Sequence, residues 1–362
     1  MRVGIDARGL LARERTGVDH YAASLAAALA AEKDRPDLFL YLNRPSAQAW
    51  PDGVFERVVR ARFGWLRLAL PRAMRSDRIE VAHFPGTILP PWLPCRSVVT
   101  VYDLAFIHFP ECYPRRLLRL QRRALASARR ADRVIAISEC TRSDLVRYAA
   151  VAAEKITVIP LASRYAPQEP VPRSAREVLL FVGAMNERKN LMRLLDAYAL
   201  ARARGVAIPL VLAGPEDGHG ALLRERAEKL GLSQHVRFAG YAGEQALAML
   251  YSRALAVLLV SLYEGFGLPV VEGMSFGAPA VAANVSSLPE VVGDAGLLVD
   301  PLQVEEIARA IVSVSLREDL WAELSRSAAQ RARLFSWQQV ARRTLEVYRQ
   351  AATGVIPSPC GG

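Results

Sequence analysis

The chain has few of the features that mark membrane-spanning or disulfide-stabilised proteins. No apolar run in its 362 residues reaches the roughly 18–20 residues that a membrane span requires. The amino terminus passes directly into a strand-like pattern at residues 2–6, and we therefore expect no signal peptide. Its four cysteines show neither Cys-x-x-Cys spacing nor the density of a disulfide scaffold. These absences predict a cytoplasmic protein with reduced thiols.

Metal ligands and aromatic residues are also scarce. None of the five histidines lies four residues from another, so the sequence predicts no zinc site. Aromatic residues make up 7% of the chain and hydrophobic residues 52%, which is typical of an α/β protein rich in Ala, Leu and Val. The length exceeds what one hydrophobic core usually supports, and we therefore expect two domains.

Positive charge is concentrated in the first half of the chain. Residues 1–165 contain 27 Lys and Arg against 16 Asp and Glu, whereas residues 166–362 contain 20 of each. The net charge of +11 therefore comes entirely from the first half. Two segments carry most of it, one from Arg57 to Arg78 and the other from Arg115 to Arg133.

The second basic segment has the pattern of an amphipathic helix. Leu117, Leu120 and Ala124 recur at helical spacing, with arginines between them. A basic amphipathic helix favours an anionic membrane surface or a phosphate-bearing partner. The alternative is a solvated, arginine-rich helix face. We do not predict a nucleic-acid partner, because no nucleic-acid-binding motif accompanies the charge.

Strand-like and helical stretches alternate along both halves. We predict strands at 2–6, 38–42, 81–84, 97–102, 133–137 and 155–159, then at 178–182, 209–213, 236–238, 254–260 and 280–283. We predict helices at 19–32, 141–148, 191–204, 220–230, 244–252 and 269–276. This alternation predicts two doubly wound parallel sheets of the Rossmann type. The domains would be 1–165 and 166–335, with a linker at 166–173, a final helix at 336–352 that packs back on the first domain, and a disordered tail at 353–362.

The most informative stretch surrounds two carboxylates, Glu264 and Glu272, on either side of a Gly-Phe-Gly turn. The apolar run 254–260 predicts a buried strand before the turn, and Pro269 suits the first position of a helix after it. On this interpretation Glu264 lies in the loop and Glu272 in the first helical turn. The glycines and the helix N-terminus favour a bound diphosphate, while carboxylates accept hydrogen bonds from sugar hydroxyls. The pattern therefore predicts a phosphorylated sugar as ligand. The alternative is that Glu272 only interacts favourably with the helix dipole near the start of the helix, and that Glu264 is a solvated loop residue.

Several motifs together resemble the retaining nucleotide-sugar glycosyltransferases of group 1 and family 4. They are EGFGLPVVE at 264–272, FVGAMNERKNL at 181–191, LPEVVGDAG at 288–296 and FSW at 335–337, with GVDHY at 17–21, TVYDL at 100–104 and ISECT at 137–141 in the first half. The resemblance implies the GT-B architecture, in which two facing Rossmann-like domains enclose a cleft. It also implies transfer of a hexose, with mannose from GDP-mannose as our expectation, onto a glycan or a lipid-linked saccharide acceptor.

The resemblance also implies roles for individual residues. Glu264, Arg188, Lys189 and Asp103 would be catalytic; Glu272, Gly265, Phe266, Gly267 and Gly183 would bind the donor; Gly17 and Tyr102 would belong to an acceptor or phosphate loop. Lys189 and Arg188 would neutralise the leaving diphosphate, and Glu272 would accept from the ribose hydroxyls. The alternatives are that Lys189 and Arg188 are ordinary loop cations and that Gly17 is a simple turn glycine.

The chain departs from the family pattern at three positions, each of them at or beside one of these residues. Ala184 follows the loop glycine where many relatives carry an arginine, so more of the phosphate binding would fall to Arg188. Tyr102 precedes Asp103 where relatives commonly have histidine, and a single glycine, Gly17, stands where many have two. Tyr102 would then donate to a sugar hydroxyl, and Asp103 would orient the acceptor or act as the base.

The implied mechanism is attack by the acceptor hydroxyl from the face that the nucleotide leaves, which retains the anomeric configuration. The sequence contains no Asp-x-Asp motif, so we expect neither a metal nor another cofactor. Other hypotheses are a nucleotide-sugar epimerase and a non-catalytic nucleotide-sugar-binding subunit of a glycan-assembly complex. A phosphorylase would need a pyridoxal-binding lysine and a longer chain. We expect a cytoplasmic enzyme that associates peripherally with the inner membrane face.

Overall fold

A computed structural model describes residues 1–11, 17–46, 49–169, 171–216 and 218–354. The chain forms two compact units. The first contains, among the described residues, those of 1–106, 113–161 and the chain from Trp337 onward. The second contains residues 107–112 and 162–336.

Strands and helices alternate along most of the described chain. The strands are β1 Arg2–Asp6, β2 Asp37–Leu42, β3 Val54–Val58, β4 Val81–Phe84, β5 Arg96–Val101, β6 Arg133–Ala136, β7 Ile156–Val158, β8 Val178–Val182, β9 Leu210–Ala213, β10 Val236–Gly240, β11 Ala254–Leu259, β12 Ala280–Ala283 and β13 Gly296–Val299. The helices are α1 Gly17–Ala31, α2 Leu70–Ser76, α3 Ala105–His108, α4 Arg115–Arg130, α5 Glu139–Ala149, α6 Leu191–Ala203, α7 Gly220–Lys229, α8 Glu244–Arg253, α9 Leu268–Ser275, α10 Leu288–Val292, α11 Val304–Leu316, α12 Glu318–Ala332 and α13 Trp337–Thr353. None of the helices within these described ranges is long and apolar enough to cross a membrane.

Each unit is built on one parallel sheet. The first has seven strands in the order β3-β2-β1-β4-β5-β6-β7, and the second has six in the order β10-β9-β8-β11-β12-β13. All paired strands in both sheets are parallel. The central strands are buried on both faces and read as continuous apolar runs, as the sequence led us to expect. The predicted fold class of two doubly wound parallel sheets is confirmed.

The strand order reverses once in each sheet. In the first sheet the reversal lies between β1 and β4, and in the second between β8 and β11. The loops after two such strands leave the sheet towards opposite faces, which opens a crevice at their carboxyl ends. These two edges are therefore where ligands are expected, and most of the predicted site residues lie beside one or the other.

A buried polar network joins the last helix to the first sheet. His83 Nδ1 lies 2.7 Å from the Tyr348 hydroxyl of α13, and its Nε2 lies 2.8 Å from Thr100 Oγ1. The Tyr21 hydroxyl of α1 lies 3.3 Å from the same Thr100 oxygen. Burial lowers the pKa of His83 to about 3, so its imidazole is neutral at physiological pH. Helix α13 thus packs on α1, β4 and β5 through apolar and polar contacts.

A buried arginine ties two helices of the second unit together. Arg176 NH1 donates to the carbonyl of Ala254 at 3.1 Å and to that of Ser252 at 3.3 Å, at the end of α8. Its NH2 donates to the carbonyl of Phe276, just after α9, at 2.6 Å. The guanidinium also lies 5.7 Å from the ring centroid of Trp321. It therefore satisfies carbonyl groups that helix ends leave without partners.

Several elements differ from the sequence expectations. The sequence analysis did not predict the edge strand β3 or helix α2 with the preceding turn Trp65–Ala69. It also did not predict the four elements between residues 284 and 334. Strand β3 contains two adjacent polar residues, Glu56 and Arg57, and α2 contains a proline, so neither shows a long apolar period. Thr353, predicted to begin the tail, ends α13, and residues 355–362 lie outside the described residues.

The basic segments are only partly available to an external partner. Arg133, at the end of the second segment, begins β6 and is 5% exposed, so its place on a basic surface is wrong. Helix α4 ends at Arg130 and exposes most of its other arginines. In the first segment Arg57 lies in β3 and forms a bidentate ion pair with the buried Asp77. The other arginines of the first segment are exposed, so both segments contribute to the basic surface of the unit; they are Arg60, Arg62, Arg67, Arg72, Arg75 and Arg78.

Candidate active site

The strand reversal of the second sheet carries the first group of predicted site residues. β8 and β11 are neighbours there, paired from Val178 with Ala254 to Leu180 with Val257. Gly183 follows β8 directly, and Glu264 lies in the loop that follows β11. The loop after β9 approaches closely as well, because a Cβ at Gly214 would lie 2.1 Å from the Gly183 carbonyl oxygen. Only glycine fits this contact, at a φ of +137°.

Glu264 is the centre of a buried charged cluster. One carboxylate oxygen accepts from Lys189 Nζ and, at 2.7 Å, from Ser261 Oγ. The other accepts from Arg188 NH1 at 3.2 Å. Glu264 is 7% exposed, and both cations are largely buried beside it. Two cations around one carboxylate leave one positive charge in excess, which suits an anionic ligand.

Hydrogen bonds between loops fix the two cations. Arg188 and Lys189 lie in a 3₁₀ turn that ends at Asn190, whose backbone is left-handed with a φ of +59°. The Asn190 side-chain amide donates to the carbonyl of Val260 at 3.0 Å and to that of Pro301 at 2.7 Å. The backbone N–H of Leu262 donates to the Arg188 carbonyl at 2.8 Å. The loop after β8 is therefore held against the loop after β11.

The charges of the cluster decide the protonation of Glu264. Burial by itself would raise the pKa of this carboxyl group, because it disfavours the charged form. The positive charges of Lys189 and Arg188, with the hydrogen bonds from Lys189 and Ser261, outweigh burial and lower the pKa to about 2. Glu264 is therefore a carboxylate at physiological pH, and it acts as a hydrogen-bond acceptor.

Helix α9 begins at the Gly-Phe-Gly turn, close to where the sequence placed it. Gly267 caps the helix at a φ of +104°, and a Cβ there would lie 2.6 Å from Leu288 Cδ2. Phe266 is buried and packs edge-on against Phe335 with ring centroids 5.7 Å apart. Two details of the prediction are wrong. Pro269 is the second helical residue, not the first, and Glu272 is the fifth, one position beyond the first turn.

Glu272 is enclosed more completely than Glu264. It is 1% exposed, with one carboxylate oxygen accepting from Arg164 Nε at 2.6 Å and the other from the Tyr251 hydroxyl at 2.7 Å. Sequence reasoning missed both partners. Arg164 lies 108 residues from Glu272, and nothing in its local sequence marks it as different from the other arginines.

The strand reversal of the first sheet carries the remaining predicted site residues. A cavity of about 290 Å³ opens beside the ends of β4 and β5. Its polar lining consists of Tyr102, Asp103, Thr87 and Gln121, and its apolar lining includes Phe106. This composition, mostly apolar with a few polar groups, is typical of small-molecule sites.

Tyr102 lines this cavity, and its hydroxyl group has an unusual environment. It is buried and has no hydrogen-bond partner among the described residues. Burial raises its pKa well above the usual value, with smaller contributions from Tyr21 and Asp19. The neighbouring Asp103 accepts from the backbone N–H of Ala105 at 2.9 Å, which begins α3. A neutral phenol without a partner is a free donor for a ligand hydroxyl.

Gly17 differs from the prediction in its local structure. It is the first residue of α1, not part of the loop before the helix, and a Cβ there would meet nothing within 4 Å. Its neighbour Val18 lines the cavity beside Tyr102. The structure thus brings together Glu264, Arg188 and Lys189 in one unit, and Tyr102, Asp103 and the start of α1 in the other.

Comparison with known proteins agrees with this architecture. A sequence profile described as glycosyl transferases group 1 matches residues 165–334, and one described as Glycosyltransferase Family 4 matches residues 15–162. O-antigen chain mannosyltransferase B of Escherichia coli is 34% identical over 305 residues, which cover 78% of each chain.

Solved structures share the fold at lower identity. Sucrose-phosphate synthase from Thermosynechococcus elongatus superposes with a TM-score of 0.78 at 21% identity, covering 98% of this chain and 100% of that one. Anabaena HepE in complex with UDP-glucose superposes with a TM-score of 0.72 at 20% identity, covering 96% and 99%. With the two parallel sheets and the family motifs, these similarities establish that the chain belongs to the group 1, family 4 glycosyltransferases of GT-B fold.

Proposed function

We propose that the chain is a retaining hexosyltransferase that transfers mannose from GDP-mannose to a saccharide acceptor without a metal ion. The observation that carries this proposal is the buried cluster of Glu264, Lys189 and Arg188 at the strand reversal of the second sheet. The similarity to O-antigen chain mannosyltransferase B supports mannose as the sugar. GDP is the nucleotide that we expect with it.

The charge of the cluster suits the departure of a nucleoside diphosphate. As the glycosidic bond breaks, negative charge develops on the leaving phosphate, and fixed cations in a buried site stabilise it. Lys189 and Arg188 would contact the phosphates, while Glu264 orients them and accepts from donor-sugar hydroxyls. Gly183 and the buried turn from Gly265 to Gly267 let the backbone approach the donor. No metal would be needed to neutralise the diphosphate.

The cavity of the first unit is the proposed site of the acceptor sugar. The Tyr102 hydroxyl would donate to one of its hydroxyl groups, and the Asp103 carboxylate would orient the attacking hydroxyl or accept its proton. Attack would occur on the face from which the diphosphate leaves, so the configuration is retained. The start of α1 at Gly17 and Val18 would border the acceptor.

The exposed arginines of α4 support a peripheral membrane location. Leu120 on this helix is 45% exposed and also lines the acceptor cavity. A lipid-linked acceptor on the cytoplasmic membrane face would then lie beside its sugar site. We expect binding to anionic liposomes that falls steeply between low and high salt. Binding that is equal at both salt concentrations would contradict the membrane part of the proposal.

Turnover of nucleotide sugars tests the catalytic assignment. A thermal-shift screen of the purified chain with GDP, UDP, ADP and dTDP would first identify the base, because selective binding raises the apparent melting temperature. Transfer or slow hydrolysis of the matching sugar donor would then be measured for wild type and Glu264→Ala. We expect the variant to lose at least about 100-fold in turnover. Unchanged turnover in Glu264→Ala would refute the site.

A non-catalytic nucleotide-sugar-binding subunit is the second candidate. Tyr102 favours it, because it stands where relatives commonly carry histidine. Any turnover by the purified wild-type chain, including donor hydrolysis, would count against this alternative. An epimerase would release an isomerised sugar nucleotide without an acceptor, and product analysis separates it from a transferase.

A further inference from the structure

We propose that Arg8 and Arg44 form a further ligand site in the first unit, and that this site binds a phosphate group of the acceptor. The inference rests on the proposed function, which places the acceptor sugar in the cavity beside Tyr102. It adds a chemical requirement that the proposed function lacks, namely that the acceptor is anionic. A phosphorylated sugar and a lipid diphosphate both meet this requirement.

An open cavity lies at the carboxyl ends of β1 and β2. It measures about 390 Å³ and is lined by Arg8 and Leu11, from the 3₁₀ turn after β1, and by Asn43 and Arg44, which follow β2. Among the described residues, the lining therefore contains two cations and no acid. Because the strands are parallel, this cavity opens on the same edge of the sheet as the acceptor cavity.

Arg8 is held in one orientation by two neighbouring side chains. Its Nε donates to one carboxylate oxygen of Asp6 at 2.8 Å, and its Nη2 donates to the other at 2.7 Å. The guanidinium also lies 4.3 Å from the ring centroid of Trp65, whose indole nitrogen donates to the Val59 carbonyl at 2.7 Å. Its Nη1 has no hydrogen-bond partner within the described residues, and the side chain is 41% exposed. An arginine that is already ordered loses little side-chain entropy when a ligand binds.

Arg44 is held by a single hydrogen bond. Its Nη2 donates to the Leu11 carbonyl at 2.7 Å, which ties the residues after β2 to the turn after β1. In the part of the chain that the structure describes, its Nε and Nη1 make no hydrogen bond. Asn43 is exposed beside it, and its side-chain amide can add a further donor. The cavity thus presents several unpaired N–H donors around one space.

The charges around the cavity favour a phosphate over a neutral sugar. Asp6 neutralises one of the two arginines, which leaves one positive charge in excess. The Asp6 side chain is only 9% exposed, so its carboxylate is largely covered. Guanidinium groups only donate hydrogen bonds, and phosphate oxygens accept them, whereas a sugar hydroxyl needs both donors and acceptors. Arg8 and Arg44 follow different strands, so they can contact different oxygens of one phosphate.

The turn that carries Arg8 packs against the helix that borders the sugar cavity. A Cβ at Gly9 would lie 2.8 Å from Asp19 Oδ1, in the first turn of α1. Val18, one residue earlier, lines the sugar cavity beside Tyr102. Strand β1 lies between β2 and β4, and neighbouring strands are about 4.8 Å apart. The two cavities are therefore close enough for the sugar and the phosphate of one acceptor to occupy both.

Equilibrium binding of phosphate-bearing probes to matched variants tests the site. The probes are mannose 1-phosphate, farnesyl diphosphate and inorganic phosphate, with methyl α-mannoside as the uncharged reference. Each is titrated by calorimetry into protein saturated with the nucleoside diphosphate that the thermal-shift screen identifies, so that the cations at Lys189 are already occupied. The variants are Arg8→Gln and Arg44→Gln, with Arg96→Gln as the control.

Arg96 is a matched control because it also pairs with an aspartate. Its Nη1 lies 2.9 Å from Asp132 Oδ1, and it begins β5, at the amino ends of the strands of the same sheet. All three variants remove one positive charge, so an effect of the overall charge would weaken binding equally in each. Circular dichroism and urea unfolding establish that each variant is folded. Arg44→Gln keeps the pair of Arg8 and Asp6, so it tests the site independently of the stability of Arg8→Gln.

We expect Arg8→Gln and Arg44→Gln each to weaken binding of the organic phosphate that wild type binds more tightly. The loss should be at least about 10-fold, as for a charge-assisted hydrogen bond. Arg96→Gln should bind this probe as wild type does, and methyl α-mannoside should bind all four proteins equally. Tighter binding of farnesyl diphosphate identifies a lipid diphosphate as the source of the phosphate, and tighter binding of mannose 1-phosphate identifies a sugar phosphate.

Four outcomes would overturn the assignment. Wild type that binds none of the phosphate probes would remove the site. Unchanged affinity in both Arg8→Gln and Arg44→Gln would remove these arginines from the ligand. An equal loss in Arg96→Gln would assign the effect to the charge of the whole unit. Inorganic phosphate that binds as tightly as both organic probes would show a site for free anions and not for an acceptor.

Failure of the proposed function would give a different result. Wild type that binds no nucleoside diphosphate would contradict the donor site, which lies in the second unit. The same probes and variants would then test the phosphate site directly, without a saturating nucleotide.

Discussion

Glu264→Gln is the substitution that tests the charged cluster most directly. Glutamine preserves the shape of the side chain but removes the negative charge between Lys189 and Arg188, both of which are largely buried. The amide nitrogen of the glutamine is a hydrogen-bond donor, and it would face the donor groups of Lys189 and Arg188. The variant should therefore lose stability as well as turnover, and the two losses are measured separately.

The size of the stability loss follows from the pKa of Glu264. The pKa falls from its ordinary value of 4.5 to about 2 in the folded protein. At about 1.4 kcal/mol per pH unit, this shift corresponds to about 3 kcal/mol of stabilisation by the carboxylate at pH 7. The same magnitude is typical when one partner of a buried ion pair is removed, about 3–5 kcal/mol.

The pH dependence gives a second, independent check. Because the folded pKa lies below the unfolded one, the unfolded chain takes up the proton first on acidification. The stabilisation is complete above about pH 4.5 and is lost as the pH falls towards 2. The difference in unfolding free energy between wild type and Glu264→Gln should therefore be constant from pH 7 to 5 and shrink below that.

Urea unfolding at pH 7, 5, 4 and 3.5, followed by circular dichroism, would provide these free energies. Glu305→Gln is the matched control, because its carboxylate pairs with Arg204 at the surface and should contribute nothing measurable. Equal stability of wild type and Glu264→Gln at pH 7 would refute the ion-pair argument. A difference that persists unchanged at pH 3.5 would show that the loss comes from packing and not from charge.

Three further predictions concern the framework around the sites. Because buried His83 has a folded pKa of about 3, this residue should contribute a loss of about 1.4 kcal/mol in unfolding free energy per pH unit as the pH falls from 6 to 4. His83→Asn should therefore show a shallower slope than wild type in urea unfolding, and parallel slopes would contradict this. Gly267→Ala should lower the free energy of unfolding by about 1–3 kcal/mol, measured by thermal unfolding. The backbone at this position has a φ of +104°, and the alanine Cβ would clash with Leu288, so both features strain the folded state. An unchanged melting temperature would exclude this strain. Arg176→Met should destabilise the chain by about 2 kcal/mol or more, because carbonyls at the ends of α8 and α9 lose their donor. The GDP affinity of the folded variant should stay unchanged. A stabilised variant would show that the cost of desolvating the guanidinium exceeds the gain from its hydrogen bonds.

Local sequence patterns predicted the strand-turn-helix around Glu264 almost to the residue. A continuous apolar run such as Ala254–Leu259 has to be buried on both faces, and glycine followed by proline ends one element and begins the next. The same reasoning missed the edge strand β3, in which two of five residues are polar, and the helix around Pro71, which lacks a long period. Elements were recognised where hydrophobic periodicity is strong and missed where it is weak.

Contacts between distant residues could not be predicted in the same way. The sequence placed Lys189 and Glu264 in one site, but it assigned one to phosphate and the other to sugar and did not pair them across 75 residues. It counted Arg133 among the surface charges, whereas β6 buries it. It gave no reason to single out Arg164, because an arginine in an irregular loop looks the same whether it faces water or a buried carboxylate.

The sequence by itself determined the class of fold and the residues that surround each strand reversal, because periodicity, glycine and proline act over a few residues. The tertiary structure alone decided which charges are buried and which partners they have. Burial and ion pairing depend on side chains that lie far apart in the chain. Lys189 and Glu264, 75 residues apart, meet where the loops after β8 and β11 are packed together. Arg164 and Glu272, 108 residues apart, meet where the segment before β8 lies against α9. Those pairings set the pKa of Glu264 and the exposure of Arg164, and hence the chemistry that the site can perform.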